Sequence, residues 1–186
     1  AVLSKDARLH DLLVSLRVHG QAVKSDLEGR TFDHDPKYLN MRIGMNARMD
    51  TIQAAVLLQK LAIFADEIEA RNRVADRYAQ GLGDVVRTPA VIDGGISVWA
   101  QYTIEIDDRD GLAAHLKAAE IPTAVYYPIP IHKQGVYSVY PVGPGSLPAT
   151  MAAAERVISL PMHPYLEADV QDQIIAAIRA FAGRNA

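Results

Sequence analysis

"RIGMNARMDTIQAAVLLQKL", residues 42–61, is the stretch whose reading decides the fold. It passes from an irregular segment straight into a helix, and the start of that helix carries an amide, Asn46, and a guanidinium, Arg48, two positions apart. A helix start favours anions through its free N–H groups and its dipole. Arginine adds a planar fork of donors suited to phosphate or carboxylate. Asn46 and Arg48 are therefore candidate anion ligands. A solvated arginine beside an asparagine that fills a turn is the plainer alternative, and on spacing alone it is the commoner one.

The helical pattern that follows runs over about 49–82. Asp50 and Gln53 have the spacing of a capping-box variant at its start. "IQAAVLLQKLAIF" is apolar nearly all round, which predicts a buried helix. "DEIEARNRVADRYAQGL" is amphipathic, with Ile68, Ala75, Tyr78 and Leu82 on one stripe. A straight helix of that length would reach about 50 Å, so it is expected to bridge two bodies or to bend.

Upstream, Leu9, Leu12, Leu13 and Leu16 predict a first helix over about 6–18, stopped by Gly20. Residues 21–45 keep no period and read as a loop, of a length more often functional than not. Ala1-Val2-Leu3 resembles the end of a buried strand. Domains seldom start inside an element, so the chain is expected to be the rear portion of something longer.

Beyond Gly83 the pattern becomes mixed. Residues 84–88 read as a short strand, and "SVWAQYTIEI" (97–106) alternates strictly. Residues 108–119 read as a helix, "TAVYY" as a strand and 148–158 as a helix. "SLPM" reads as a short extended piece, and a last helix covers about 167–182. Strands alternating with helices predict a two-layer α/β sandwich.

Composition narrows the function. Nearly half of the 186 residues are hydrophobic and the net charge is −3, so a core is possible and a basic nucleic-acid-binding face is not indicated. The absence of cysteine excludes disulfides, thiolate catalysis and cysteine-bound zinc. No apolar run approaches the roughly 20 residues that cross a bilayer, and a cytoplasmic location is the default. His10, His19, His34, His115, His132 and His163 are scattered without metal-ligand spacing, and no serine elbow or glycine-rich phosphate loop occurs.

A second constellation, "VYYPIPIHKQGVY" (125–137), packs three tyrosines, two prolines, a histidine, a lysine and a glutamine into thirteen residues. Pro128 and Pro130 push Tyr127 and Ile129 towards extended backbone, giving a stiff loop that presents Tyr126, Tyr127, His132, Lys133 and Gln134 to a polar substrate. A proline-rich crossover with tyrosines at the edge of the core explains the same residues equally well. His19, beside Gly20, is either a site residue or a cap interaction, and His163 between Met162 and Pro164 reads more simply as structural.

Taken together, these stretches resemble the DegT/StrS family of pyridoxal-phosphate-dependent nucleotide-sugar aminotransferases. "GMNARMDTIQAAVLLQKL" is similar to that family's G-x-N-x-R-M/L-D-x-x-Q-A-A-x-L-x-x-K-L signature. "LRVHGQ" (16–21), "WAQYTI", "IPTAVYYPIPIHKQGVY" and "SLPMHPYL" resemble its other blocks in the same order. Within the family, the chain looks most like enzymes that install the 3-amino group on UDP-linked 2-acetamido-3-keto uronic acids.

The resemblance implies the C-terminal portion of an aspartate-aminotransferase-like fold. The tail of the large domain would cover residues 1–47, a long connecting helix 48–82, and a small two-layer α/β domain 83–186. It implies pyridoxal 5'-phosphate as cofactor, no metal, and a homodimer with shared active sites. Asn46 and Arg48 would serve the cofactor phosphate and substrate of the neighbouring subunit, while His132, Tyr127, His19 and Gln134 would face the sugar nucleotide. The reaction would move an amino group, from glutamate, onto a keto nucleotide-sugar in polysaccharide or amino-sugar biosynthesis.

The family's cofactor-bearing lysine lies in an S-x-x-P-x-K segment that would fall upstream of Ala1. Lys5, Lys24, Lys37, Lys60, Lys117 and Lys133 lack that context, so no catalytic residue is assigned and this chain alone is expected to be inactive. Two alternatives are a lysine-lacking sugar dehydratase relative, with histidine at the lysine position, and a non-catalytic dimerisation or regulatory module.

Overall fold

Helix spacing puts Val74, Ala75, Tyr78 and Leu82 on one face of α4 (Phe64–Leu82), and all four are buried. The computed structural model describes residues 2–33, 35–142 and 144–183. It divides into two units, residues 1–61 and 62–186.

The second unit holds the core. Strands β1 (Tyr102–Glu105) and β2 (Val157–Leu160) pair antiparallel, with Tyr102 opposite Leu160 and Ile104 opposite Ile158. These four side chains share one buried face, as the twofold alternation of a strand requires. On the other side, the Thr103 and Ser159 hydroxyls bond at 2.8 Å. Helices α4, α5 (Arg109–Ala118) and α7 (Ala168–Ala182) close the buried face through Leu82, Leu112, Leu116, Ile174 and Ile178. The sixth helix, α6 (Pro148–Arg156), starts on a proline and runs directly into β2.

Tyr78 is wholly buried; its ring packs 5.0 Å from that of Tyr102 and its hydroxyl donates to the Pro161 carbonyl at 3.0 Å. Tyr78→Phe is expected to lower unfolding free energy by about 1 kcal/mol through loss of that bond. Urea unfolding measures it.

The structure trims several expected strands. The expected strand over 97–106 begins only at Tyr102. Trp99 sits at φ +44°, and α4 side chains take the carbonyls that a ladder would use, Asn72 that of Ser97 and Arg71 that of Trp99. The expected strand at 84–88 contributes one bridge, Arg87 with Glu105, and "TAVYY" contributes one, Ala124 with Ser159. The helix expected to reach residue 158 stops at Arg156, because Val157 and Ile158 take their places in β2.

In the first unit, α1 (Ala7–Leu16) is capped by Asp6, whose carboxylate accepts the Arg8 and Leu9 N–H groups. The expected loop over 21–45 contains a short helix, α2 (Lys24–Leu27), and a 3-10 turn over Pro36–Tyr38. Residues 16–22 and 39–47 lie antiparallel, bridged at Val18 with Asn46 and at Gln21 with Asn40. Two glycines permit the close approach. A Cβ on Gly20 (φ +79°) would overlap the Arg42 carbonyl, and one on Gly44 would lie 2.5 Å from the Leu16 carbonyl oxygen.

The helix expected to run unbroken over 49–82 is interrupted at Ile63, giving α3 (Thr51–Ala62) and α4. The Gln53 side chain accepts the Asp50 N–H, one half of the anticipated capping box. The expectation that the apolar first half is buried fails. Ile52, Val56, Leu58 and Leu61 are between 58 and 80% exposed, because nothing among the described residues covers them. Apolar periodicity reports that a face suits a core, not that the chain in hand supplies the cover. Val2 and Leu3, read as the end of a buried strand, are likewise exposed and outside any strand, while Ala1 lies outside the described residues.

Candidate active site

The sequence-derived candidates gather in two places, one in each unit. In the first, the backbone crossing described above pairs Asn46 with Val18 and brings His19 onto the Met45 carbonyl. The His19 N–H donates to the Met45 carbonyl at 3.1 Å, and the Ala47 N–H donates to that of Arg17 at 3.0 Å. The Arg48 Nε donates to the Asn46 Oδ1 at 3.1 Å.

That bond takes one of the two lone pairs of the pair's single acceptor oxygen. What Asn46 and Arg48 then offer to solvent is mainly donors, an amide N–H₂ and the terminal guanidinium nitrogens. Both side chains are exposed. Such a set fits a phosphate or carboxylate and repels a metal ion, so it meets the chemical demand of a phosphate-bearing cofactor.

Four residues before Asn46 stands an arginine that the sequence reading passed over. Arg42 makes a two-pronged ion pair with Asp26, at 2.7 and 2.6 Å, and a 3.1 Å bond to the Ser15 hydroxyl. Ser15 is buried and donates in turn to the Gln21 carbonyl. The Arg42 guanidinium, then the Val23 N–H, hold the Asp26 carboxyl down at about 2, against an ordinary 3.8. Position 42 stands in the decisive stretch, but Asp26 and Ser15 are 16 and 27 residues away, and no periodicity links them.

In the second unit, Pro128 and Pro130 lead into two 3-10 turns, Ile131–Lys133 and Gly135–Tyr137. The turns wall a cleft of about 1040 Å³ against α6. Tyr127, His132 and Gln134 all line it, with Tyr126, Tyr137 and Tyr140. Tyr127 is 69% exposed at the rim. His132 is half-buried, and its Nε2 is an enclosed polar atom without a hydrogen-bond partner among the described residues. The ring lines the cleft while Nε2 itself is enclosed, an orphaned polar atom that calls for a polar partner. The role of the tyrosines after position 134 could have been found from their spacing, three residues apart on a turn-rich segment.

His163 behaves structurally, its Nδ1 accepting the Tyr165 N–H. Burial pushes the Tyr102 phenol up to about 12 and raises that of Tyr78 as well, so neither core tyrosine is a proton carrier. No group of acidic or histidine side chains able to hold a metal occurs among the described residues, and His34 lies outside them. No helix among them is long and apolar enough to cross a membrane.

Residues 1–179 match the DegT/DnrJ/EryC1/StrS aminotransferase family. The chain is 41% identical over 179 residues to the UDP-2-acetamido-2-deoxy-3-oxo-D-glucuronate aminotransferase of Pseudomonas aeruginosa, covering 96% of this chain and 45% of that protein. It is 33% identical over 186 residues to the dTDP-3-amino-3,4,6-trideoxy-alpha-D-glucose transaminase of Streptomyces venezuelae, covering 99% and 46%. A crystal structure of a DegT DnrJ EryC1 StrS aminotransferase from Brucella abortus superimposes with a TM-score of 0.80 at 49% identity, covering 97% of this chain and 45% of that one. The chain thus spans a little under half the length of the relatives it matches, and shares with them the α/β fold expected for the C-terminal portion of such an enzyme. With its first 179 residues matching the family, this chain belongs to the DegT/DnrJ/EryC1/StrS aminotransferase family.

Proposed function

We propose that the chain is the C-terminal part of a pyridoxal-phosphate-dependent aminotransferase that moves an amino group from glutamate onto a keto nucleotide-sugar. The observation that carries the proposal is the donor-rich pair, Asn46 and Arg48, held by one hydrogen bond where the family motif calls for anion ligands. In this reading, residues 1–47 end the large domain, 48–82 connect, and 83–186 form the small domain. The interruption at Ile63 is the joint within the connector.

Pyridoxal phosphate, when bound, supplies the electron sink that amino transfer requires. Asn46 and Arg48 hold its phosphate, and in a homodimer they serve the neighbouring subunit's site. Fixed donors of this kind cost no reorganisation when an anion arrives. His132 gives or accepts a hydrogen bond at Nε2, orienting the sugar nucleotide in the tyrosine-lined cleft, with Tyr127 at its rim and Gln134 beneath. His19 is assigned to the same substrate. The similarity to an enzyme of 2-acetamido-3-oxo-glucuronate favours a UDP-linked 3-keto uronic acid. Glutamate and sugar nucleotides are cytoplasmic metabolites, and the enzyme is placed with them.

The test is amino transfer by the full-length protein produced from its native gene, with glutamate and a UDP-linked 2-acetamido-3-keto uronic acid. Mass spectrometry is expected to find the keto oxygen replaced by an amino group, and 2-oxoglutarate formed in equal amount. A product that has instead lost water, or no product, would contradict the reading.

A further inference from the structure

We propose that Arg42, through its ion pair with Asp26, is a positioning residue that sets the register of the segment carrying Asn46 and Arg48. The proposal rests on the assignment of Asn46 and Arg48 to the cofactor phosphate.

The crossing of residues 16–22 by 39–47 is held by six backbone bonds in two groups. At one end the Leu39 carbonyl accepts from Ala22 and the Gly20 carbonyl from Met41 and Arg42; at the other the Leu16 and Arg17 carbonyls accept from Met45 and Ala47, and the Met45 carbonyl accepts from His19. Ribbons with few bonds are prone to slip, and a slip of one residue displaces everything downstream by about 3.3 Å. That distance would carry the Asn46–Arg48 donors away from any anion they are meant to meet.

Arg42 closes the first group, its N–H on the Gly20 carbonyl at 3.2 Å, and its side chain hydrogen-bonds to both α1 and α2. It engages Ser15 at the end of α1 and both oxygens of Asp26 in α2. A slip would break all three contacts at once. The Arg42 and Asp26 side chains are 30 and 12% exposed, so the pair is sheltered rather than a loose surface contact. Asp26 is fixed in its turn by the Val23 N–H at 2.9 Å. The depressed Asp26 carboxyl keeps the pair charged throughout the physiological range. Lysine in place of Arg42 would keep the charge but not the planar fork that reads two carboxylate oxygens.

The experiment compares Arg42→Lys and Asp26→Asn with Arg48→Ala in the full-length protein. Dissociation constants are measured for pyridoxal phosphate and for pyridoxal, which differ only in the phosphate. Amide exchange is followed at Met45 and Ala47. Arg42→Lys is expected to weaken pyridoxal phosphate about tenfold with little change for pyridoxal, and to speed exchange at both amides by a similar factor. If Arg42→Lys does not fold, Asp26→Asn, which keeps the side-chain shape, takes its place. Equal weakening of both ligands, or of neither, while Arg48→Ala remains selective for the phosphate form would overturn the positioning role and leave a structural clamp. If Arg48→Ala itself proves unselective, the phosphate assignment fails, and exchange alone decides the register. Faster exchange then supports the pin, and unchanged exchange overturns it.

Discussion

Arg48→Ala in the full-length enzyme is expected to weaken pyridoxal phosphate about 10- to 100-fold, the worth of one charge-assisted hydrogen-bonding group at 1.4 kcal/mol per decade. The loss falls on the phosphate form and largely spares pyridoxal, because the Arg48 charge strengthens a bond to an anionic phosphate far more than one to a neutral hydroxymethyl group. Asn46→Ala is expected to act in the same direction and less strongly. It removes a neutral donor, and it also frees the Arg48 Nε that it now holds at 3.1 Å. The two effects will not add, since each residue orients the other. Titration of the apoenzyme, followed by the cofactor's absorbance, measures both. Equal affinity of the variant and wild type for pyridoxal phosphate would remove Arg48 from the phosphate site.

Gly44→Ala is expected to be at least as damaging to the fold as Arg48→Ala is to binding. The added methyl would lie 2.5 Å from the Leu16 carbonyl oxygen and 2.7 Å from the carbonyl carbon of His19, and would overlap the Gly20 nitrogen. These are backbone atoms, so no side-chain rotation relieves them. Separating the strands sacrifices the Met45-to-Leu16 bond at 2.8 Å and the His19-to-Met45 bond at 3.1 Å. A loss of about 3 kcal/mol follows from such a clash with its broken bonds. Denaturant unfolding measures the loss, and faster amide exchange at Met45 and Ala47 locates it in the first unit. A loss below about 0.5 kcal/mol would mean that the two segments do not cross at Gly44.

The elements that were legible in the sequence are those whose signal is local. The helix around Leu9 to Leu16 and the last helix announce themselves by period, and their observed bounds fall within two residues of expectation, whereas the stripe ending at Leu82 marked the end of α4 but not its start at Phe64. The alternation over 97–106 was a fair guide to Tyr102–Glu105 only. Hydrogen bonds from Asn72 and Arg71, some 25 to 28 positions away, take the carbonyls of the rest. The exposed α3 is the instructive failure. Ile52, Val56, Leu58 and Leu61 do have the composition of a buried helix, but composition cannot say whose atoms bury it.

The candidate site divides in the same way. Asn46 and Arg48 could be picked out because they stand two residues apart, and Tyr127, His132 and Gln134 because one stiff loop carries them. His19 came to the Asn46 segment only once the antiparallel crossing was known, and its place there depends on two glycines 24 residues apart. Arg42 was hidden in plain view. Its function, if it positions the phosphate ligands, lies in partners that no spacing rule connects to it.

The most direct test of the account is subunit complementation. One full-length variant lacks the cofactor-bearing lysine, the other carries Asn46→Ala with Arg48→Ala, and the assay is run at a pyridoxal phosphate concentration that saturates the wild type but leaves the double variant empty, so that neither is active alone. If Asn46 and Arg48 serve the neighbouring subunit, unfolding and refolding the two together restores one intact site in each mixed dimer. Random pairing makes half the dimers mixed with one of two sites working, so activity should return to about one quarter of the wild-type level. No recovery, with mixed dimers demonstrated by mass, would contradict the account and confine both residues to their own subunit.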